Sequence, residues 1–216
     1  MLLLKSITSY YEKIQHFSFC VAIAATLGFS SCKDDDEKSK APDNKFTLES
    51  LSEKITDAAL IYDESEAEDD EGNPYHRNSI AFITEGGQLV SDPQYGGVNF
   101  DGDGSYFELF LNNEGQTLEA GNYPFQTEEN EQPFDFWLGV VVTERNTDNE
   151  KGYRFTDGAV VITKSGSTYD IKVEGEVRET FWDEEDDEWG LVNMDATPID
   201  ISLQYKGKLD VYSWDF

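Results

Sequence analysis

The stretch PIDISLQYK, residues 198–206, indicates the fold class of this chain more clearly than any other. Apolar and polar residues alternate in it, and the apolar ones are Ile199, Ile201, Leu203 and Tyr205. Successive side chains of a strand point to opposite faces, so this alternation places the apolar residues on one face. The stretch therefore predicts a strand with one buried and one solvated face.

A second stretch, residues 158–174, contains two β-rich runs separated by a short polar break. The first run is AVVIT, and the second alternates at Tyr169, Ile171 and Val173. Gly166 lies in the break, and a glycine in a short polar connection is typical of an antiparallel hairpin. The stretch therefore predicts two paired strands.

Weaker runs of the same kind occupy residues 58–62, 79–84, 105–111, 134–143 and 209–214. A short N-terminal helix within residues 48–59 is the one departure from strand that the pattern leaves open. About eight or nine short antiparallel strands without helical crossovers predict an all-β domain. We expect a β-sandwich, with a closed, calycin-like barrel as the alternative.

The N-terminus has the order of an export signal, because Lys5 and Lys13 precede the uncharged and mostly apolar residues 17–29. This run is too short to span a bilayer, which takes roughly 20 residues. It is therefore expected to be a signal peptide.

Ser30 and Ser31, followed by Cys32, resemble the lipobox of bacterial lipoproteins, although Phe29 stands where leucine is commonest. The run KDDDE after the cysteine resembles the surface-export signal of Bacteroidota lipoproteins. The resemblance implies cleavage by signal peptidase II, a palmitate-bearing lipid on Cys32 and a place on the cell outer membrane, exposed at the surface. The strand and turn spacing of the rest is similar to small all-β surface lipoproteins of Bacteroidota, and it carries no active-site motif.

The predicted organisation has three parts. Residues 1–31 are the signal peptide, residues 32–45 are a lipidated acidic tether, and residues 46–216 are a single all-β domain. The tether contains charged or small residues without apolar periodicity, so we expect it to be disordered.

The charge of the chain excludes some partners. The formal net charge is −29. So acidic a chain is repelled by nucleic-acid phosphates and by anionic lipid head groups. We therefore expect no nucleic-acid partner and no charge-driven membrane contact.

Cysteine and histidine are too scarce for most metal and nucleophile chemistry. Cys20 lies in the signal and Cys32 is assigned to the lipid, while His76 is the one histidine beyond the signal. No disulfide, cysteine metal site or multi-histidine zinc site is expected. We interpret His76 as an exposed loop residue.

Asp101, Asp103 and Ser105 place oxygen atoms at alternate positions, as at the start of a calcium loop. Calcium takes six to eight oxygen ligands, and only three are visible here. We therefore prefer a tight turn in which Gly102 and Gly104 supply positive φ, and keep calcium as the second interpretation.

Two acidic runs, residues 63–71 and 183–188, are expected to be solvated loops, because adjacent carboxylates repel one another. Trp182 and Trp189 flank the second run. An exposed aromatic ring beside carboxylates is a way to bind a sugar, so Trp182, Trp189, Asp183 and Glu184 form a candidate ligand site. The competing interpretation is that both tryptophans cap the core.

Together these observations predict a lipid-anchored cell-surface binding or accessory protein for glycan capture, without catalysis or a cofactor. Its partners are the outer membrane, through the lipid, and a glycan or an outer-membrane protein. A structural or protein-interaction module, such as an adhesin or a complex subunit, is the main alternative. A glycoside hydrolase is the minor one, since among so many acids no carboxylate pair stands out.

Overall fold

The computed structural model describes residues 44–68, 72, 74–91, 98–126, 135–144, 147–183 and 188–214, all within one compact unit. Cys32 and most of the predicted signal and tether lie outside these residues. Every regular element in the described ranges is a strand, and none is a helix that could cross a bilayer. The strands are β1 (Lys45–Leu48), β2 (Leu51–Glu68), β3 (Pro74–Thr84), β4 (Gly87–Ser91), β5 (Val98–Gly102), β6 (Tyr106–Asn113), β7 (Gly121–Pro124), β8 (Phe136–Thr143), β9 (Lys151–Ser165), β10 (Thr168–Asp183), β11 (Glu188–Val192), β12 (Ile199–Gly207) and β13 (Asp210–Trp214).

Eight of these strands close into an antiparallel barrel. Around the ring they follow one another in chain order as β1, β2, β3, β6, β8, β9, β10 and β12. The ring closes where β12 pairs with β1, with Lys45 opposite Gln204. The all-β prediction is confirmed, and the barrel, our alternative, is the architecture that forms. The preferred sandwich was wrong, because one continuous ladder joins the last ring strand to the first.

The interior of the barrel is filled with apolar side chains, as expected for eight strands. Phe107 lies near its centre and makes edge contacts with Phe46, Phe82 and Phe155, at centroid distances of 6.0, 5.9 and 5.7 Å. Phe155 continues the series to Phe136, at 5.4 Å. These rings join opposite walls into one packed core.

Two glycines make room for Phe155. A Cβ on Gly139 would lie 2.4 Å from Phe155 Cδ2, and a Cβ on Gly175 would lie 3.0 Å from Phe155 Cε1. Neither distance leaves space for a methyl group, so any side chain at these two positions would clash with the Phe155 ring.

The clearest local predictions are confirmed. The stretch 198–206 forms β12, and residues 158–174 lie in the hairpin of β9 and β10, whose turn contains Gly166 at φ 60°. The helix considered within residues 48–59 was wrong. Leu48 and Leu51 face each other across a two-residue turn, and Ile55 is buried on β2 as part of an alternating pattern.

The remaining strands add to the ring. β4 and β5 form a separate two-stranded sheet, while β7 extends the edge of β9 and β11 pairs with β10. β13 lies parallel to β2. We call the end with the β1–β2 turn, Glu144, residues 147–150 and the paired strands β10 and β11 the cavity end. The end with Leu118, Tyr123 and the β9–β10 turn is the plugged end.

Candidate binding site at the cavity end

A cavity of about 530 Å³ lies at the cavity end of the barrel. Its walls are supplied by the β1–β2 turn, by residues 143, 144 and 148–151 together with Tyr153, and by Glu179 of β10. Five acids and one base line it, namely Glu49, Glu144, Asp148, Glu150, Glu179 and Lys151. All of the acids except Glu179 are exposed, so the cavity has an acidic, solvated rim.

Tyr153 forms part of the cavity floor, because it lines the cavity and yet is only 6% exposed. Burial raises the pKa of the Tyr153 hydroxyl, and the nearby charges of Glu179, Glu49 and Glu144 raise it further, while Lys151 opposes them. The hydroxyl therefore keeps its proton near neutral pH. It is a hydrogen-bond donor in a cavity whose charged residues are mostly acids.

Two of the rim acids have an unusual backbone. Glu49 and Glu144 both have φ of 49°, in the left-handed region where residues other than glycine are uncommon. They are the two such residues in the described part of the chain. Strained backbones of this kind concentrate at functional sites.

The loop after Glu144 is held by short-range hydrogen bonds. Thr147 donates to the Glu144 carbonyl from both its backbone N, at 3.2 Å, and its hydroxyl, at 2.7 Å. The Thr147 hydroxyl in turn accepts from Asn149 N at 3.1 Å. Threonine and asparagine are suited to such turns, because their side chains bond to nearby backbone. The sequence around Thr147 thus positions Asp148 and Glu150 at the rim.

One ion pair crosses the rim. Lys151 Nζ lies 3.6 Å from Glu179 Oε1, and about half of each side chain is exposed, so the pair contributes little to stability. It does balance one of the acids, and the lining keeps a net negative charge.

The predicted tryptophan site lies next to this cavity along β10. Trp182 and Trp189 are directly opposite each other in the β10–β11 ladder, as are Asp183 and Glu188, and the register shifts after Phe181. Glu184 falls outside the described residues. The hairpin begins only a few residues after Glu179, so the backbone brings the predicted site and the cavity to the same end of the barrel.

Of the predicted calcium residues, Asp101 lies in β5, and Asp103 and Ser105 lie in the connection from β5 to β6. Asp101 and Asp103 are exposed, and Asp101 accepts a hydrogen bond from Gln88 at 3.1 Å. Ser105 is buried, and its hydroxyl accepts from Glu144 N at 3.4 Å. Calcium binding here stays a prediction.

The tight turn preferred at these residues has one of its two expected glycine conformations. Gly102 has the expected positive φ, 110°. Gly104 does not, and its role is close approach, because a Cβ there would lie 2.9 Å from the carbonyl oxygens of Thr84 and Glu85. Within the described part of the chain, no group of three or more His, Cys, Asp or Glu is arranged to hold a metal ion.

Two further interpretations need correction. His76 is half-buried on β3, opposite Asn113 and Glu66, rather than exposed in a loop. The first acidic run is not all loop, because β2 continues through Glu68. Glu66 and Glu68 are paired with β3, after an interruption of the ladder between Tyr62 and Glu66.

Sequence reasoning missed the rim acids. The break Glu49-Ser50 between two apolar leucines was the signal for a hairpin turn at the β1–β2 connection, but the helix interpretation hid it. Glu144 had no such signal, because nothing in the sequence marks a glutamate for a left-handed conformation.

Comparison with known proteins adds no relative: no family model, no curated protein and no solved structure matches this chain.

Proposed function

We propose that this protein is a lipid-anchored cell-surface protein that captures a glycan at the cavity end of its barrel, without catalysis. The observation that carries the proposal is the cavity itself. Its carboxylates accept hydrogen bonds from sugar hydroxyls, and the protonated Tyr153 donates one. A small number of placed polar groups around a concavity is the usual form of a small-ligand site.

The β10–β11 hairpin supports the same proposal. Its register sets Trp182 directly opposite Trp189 beyond the ring, on the strand that also carries Glu179. Aromatic rings supply the apolar contact that the carboxylates lack, since a sugar has both C–H faces and hydroxyls. In this proposal the cavity binds one sugar unit and the hairpin the next.

The direction of β1 fits display at a surface. β1 begins at Lys45 and runs toward the cavity end, which it reaches at Leu48. The eleven residues between Cys32 and Asn44 span at most about 36–40 Å when extended. In this proposal the lipid on Cys32 anchors the barrel through this segment, and the cavity lies at the end toward which β1 runs from Lys45.

The test begins with the chain from residue 32 onward carrying Cys32→Ser, screened as a soluble protein on a glycan array. The affinity of any hit is then measured by calorimetry for Glu144→Gln and Glu179→Gln. Loss of one hydrogen bond to a charged acceptor is expected to weaken binding about tenfold. Glu85→Gln is the matched control, because Glu85 is an exposed turn residue outside the cavity.

A clean array, or a hit that both cavity variants bind as well as the parent, contradicts glycan capture at this site. The lipid part is tested separately in cells, where Cys32→Ser is expected to abolish incorporation of labelled palmitate. Unchanged labelling would overturn the anchor and leave the binding result standing.

The alternative of a protein-interaction module is favoured by β13. It pairs with β2, and no second strand of the described chain pairs with it. Val211 on this strand is 62% exposed. An edge strand of this kind accepts an added strand from a partner. A photo-crosslinker at Val211 that captures one outer-membrane protein in intact cells, with none captured from position 163 on the barrel wall, would support this function instead.

A further inference from the structure

A row of lysines crosses the outer wall of the barrel. In the ladder Lys54 of β2 is opposite Lys45 of β1, Lys45 is opposite Gln204 of β12, and Gln204 is opposite Lys172 of β10. Neighbouring strands lie about 4.8 Å apart, so the row extends roughly 15 Å at right angles to the strands. We call Lys54, Lys45, Gln204 and Lys172 the lysine row.

All four side chains of the lysine row point outward. Each is exposed, while Ile55, Phe46, Leu203 and Val173, the residues that follow or precede them, are buried in the barrel. Directly paired residues of an antiparallel sheet lie on the same face. The row is therefore one continuous feature of the surface.

The lysine row makes no ion pair with the described residues. Their ion pairs join Lys151 to Glu179 and Lys206 to Asp170, so none involves the row. Like charges directly opposite across a ladder destabilise a sheet, and Lys45 and Lys54 are such a pair. In a chain of net charge −29, this local concentration of positive charge is the exception.

A shallow groove of about 420 Å³ runs beside the row, on β1, β10 and β12. Lys45, Lys172 and Gln204 line it together with Thr47, Ser202 and Glu174. The Thr47 and Ser202 hydroxyls lie 2.5 Å apart and are hydrogen-bonded. The groove thus combines two ammonium groups with hydroxyl, amide and carboxylate groups that match sugar hydroxyls.

We propose that the lysine row and its groove bind an acidic polysaccharide, one whose sugars carry carboxylate or sulfate groups. The anions pair with Lys45, Lys54 and Lys172, and the sugar hydroxyls bond to Thr47, Ser202 and Gln204. This wall site is separate from the cavity end, so a result for or against it does not decide the proposed function.

The acids around the lysine row favour a single polysaccharide strand over an anionic membrane as the ligand. The Debye length is about 8 Å at physiological ionic strength, so a ligand senses only the charges near it. A polysaccharide strand lying along the row meets mainly lysines. A flat anionic surface also approaches acids of the surrounding wall that lie outside the groove, such as Glu176 and Asp200, and is repelled by them.

The test uses the Cys32→Ser chain and calorimetry with a hexamer of galacturonic acid. We expect binding that weakens as salt is added. Lys45→Gln combined with Lys172→Gln is expected to weaken it about tenfold or more. Lys164→Gln combined with Lys208→Gln removes the same charge from exposed positions away from the groove, and is expected to change affinity less than twofold, which a purely net-charge effect would not allow.

Three results would overturn the proposal. One is equal weakening by both double variants. Another is binding of the galacturonate hexamer no tighter than a neutral galactose hexamer. The third is binding to phosphatidylcholine vesicles that contain phosphatidylglycerol, lost in the Lys45 and Lys172 variant, without hexamer binding, since the wall would then be a membrane contact. In each case binding at the cavity end is measured separately with its own glutamate variants.

Discussion

Polar groups are buried and hydrogen-bonded to one another at the plugged end of the barrel, whereas they are mostly exposed at the cavity end. At the plugged end Tyr123 is fully buried, and its hydroxyl lies 2.7 Å from Asn113 Oδ1 and 2.9 Å from the Glu119 carbonyl. Glu119 N also donates to Asn113 Oδ1, at 3.2 Å, and Leu118 of the same loop is buried. At the cavity end the acids of the rim face solvent, and two of them have strained backbones.

This difference suggests separate roles for the two ends, with the plugged end contributing to the stability of the fold and the cavity end to ligand binding. Buried polar groups that satisfy one another hold a loop in one conformation, because breaking the set leaves a donor or acceptor unpaired. Exposed acids around a cavity have no such role in the fold and are available to a ligand. We therefore expect changes at the plugged end to lower stability, and changes at the cavity end to affect binding.

The largest expected effect is that of Tyr123→Ala. The change removes a fully buried ring and leaves Asn113 without one partner, so we expect a loss of about 3–5 kcal/mol in the free energy of unfolding. Denaturant unfolding measures it, and the thermal midpoint should fall by roughly 10 °C.

Tyr123→Phe is the matched control, because it keeps the ring and removes the hydroxyl. Its cost should be about 1–2 kcal/mol, the scale of a lost buried hydrogen bond. If both variants unfold like the parent, the plugged end does not stabilise the fold and the contrast between the two ends fails.

A second prediction concerns a carboxylate that, unlike those of the rim, is enclosed. Glu108 lies on the outer face of β6 between the core residues Phe107 and Leu109, and accepts a hydrogen bond from the Tyr106 hydroxyl. Burial raises the pKa of Glu108 above its ordinary 4.5, although the Tyr106 hydrogen bond opposes the shift. The folded protein therefore binds this proton more tightly than the unfolded chain does.

The raised pKa determines how the contribution of Glu108 to stability depends on pH. The contribution of Glu108 to stability is fully present below pH 4.5 and is lost as pH rises through the raised pKa. Glu108→Gln should consequently raise the thermal midpoint at pH 7 by about 2–4 °C, for roughly 1 kcal/mol, and give no gain in acid. Glu85→Gln, at an exposed position, should give no such pH-dependent gain, and a gain of equal size there would remove the role assigned to burial.

Much of the barrel wall was predictable because alternation is a local property. The pattern at Ile201, Leu203 and Tyr205 reflects one buried face, and the glycine at 166 reflects a turn. Closure was not predictable by the same means, since a strand in a sandwich and a strand in a barrel have the same buried face. The contact that decides between them, Lys45 opposite Gln204, joins positions far apart in the chain.

The site was less predictable than the wall. The acidic run at residues 183–188 was predicted to be a loop throughout, and this was wrong at its two ends, because Asp183 and Glu188 are paired strand residues next to Trp182 and Trp189. The cavity itself combines residues as distant as Glu49 and Glu179, and no local pattern records that they meet. Left-handed conformations at glutamate are also invisible to sequence patterns, which assign them to glycine or asparagine.

A third prediction uses the strained rim. Glu144→Gly relieves the left-handed backbone, and we expect it to raise stability by about 0.5–1 kcal/mol while weakening glycan binding. Stability is measured by denaturant unfolding and binding by calorimetry. Glu144→Gln is the control, because it removes the charge and keeps the strain. A gain in stability from Gln as large as that from Gly would assign the effect to charge repulsion instead.

The smallest expected effect is the coupling between Trp182 and Trp189. The two residues are directly opposite in the ladder, and cross-strand pairs of this kind contribute about 0.2–1 kcal/mol. A double-mutant cycle with Trp182→Ala and Trp189→Ala measures the coupling in unfolding experiments. If the tryptophans belong to the binding end, each single change should cost little stability. A loss of about 3–5 kcal/mol in the free energy of unfolding of either variant would instead show that this tryptophan is part of the core. The hairpin would then stabilise the fold, as the plugged end does.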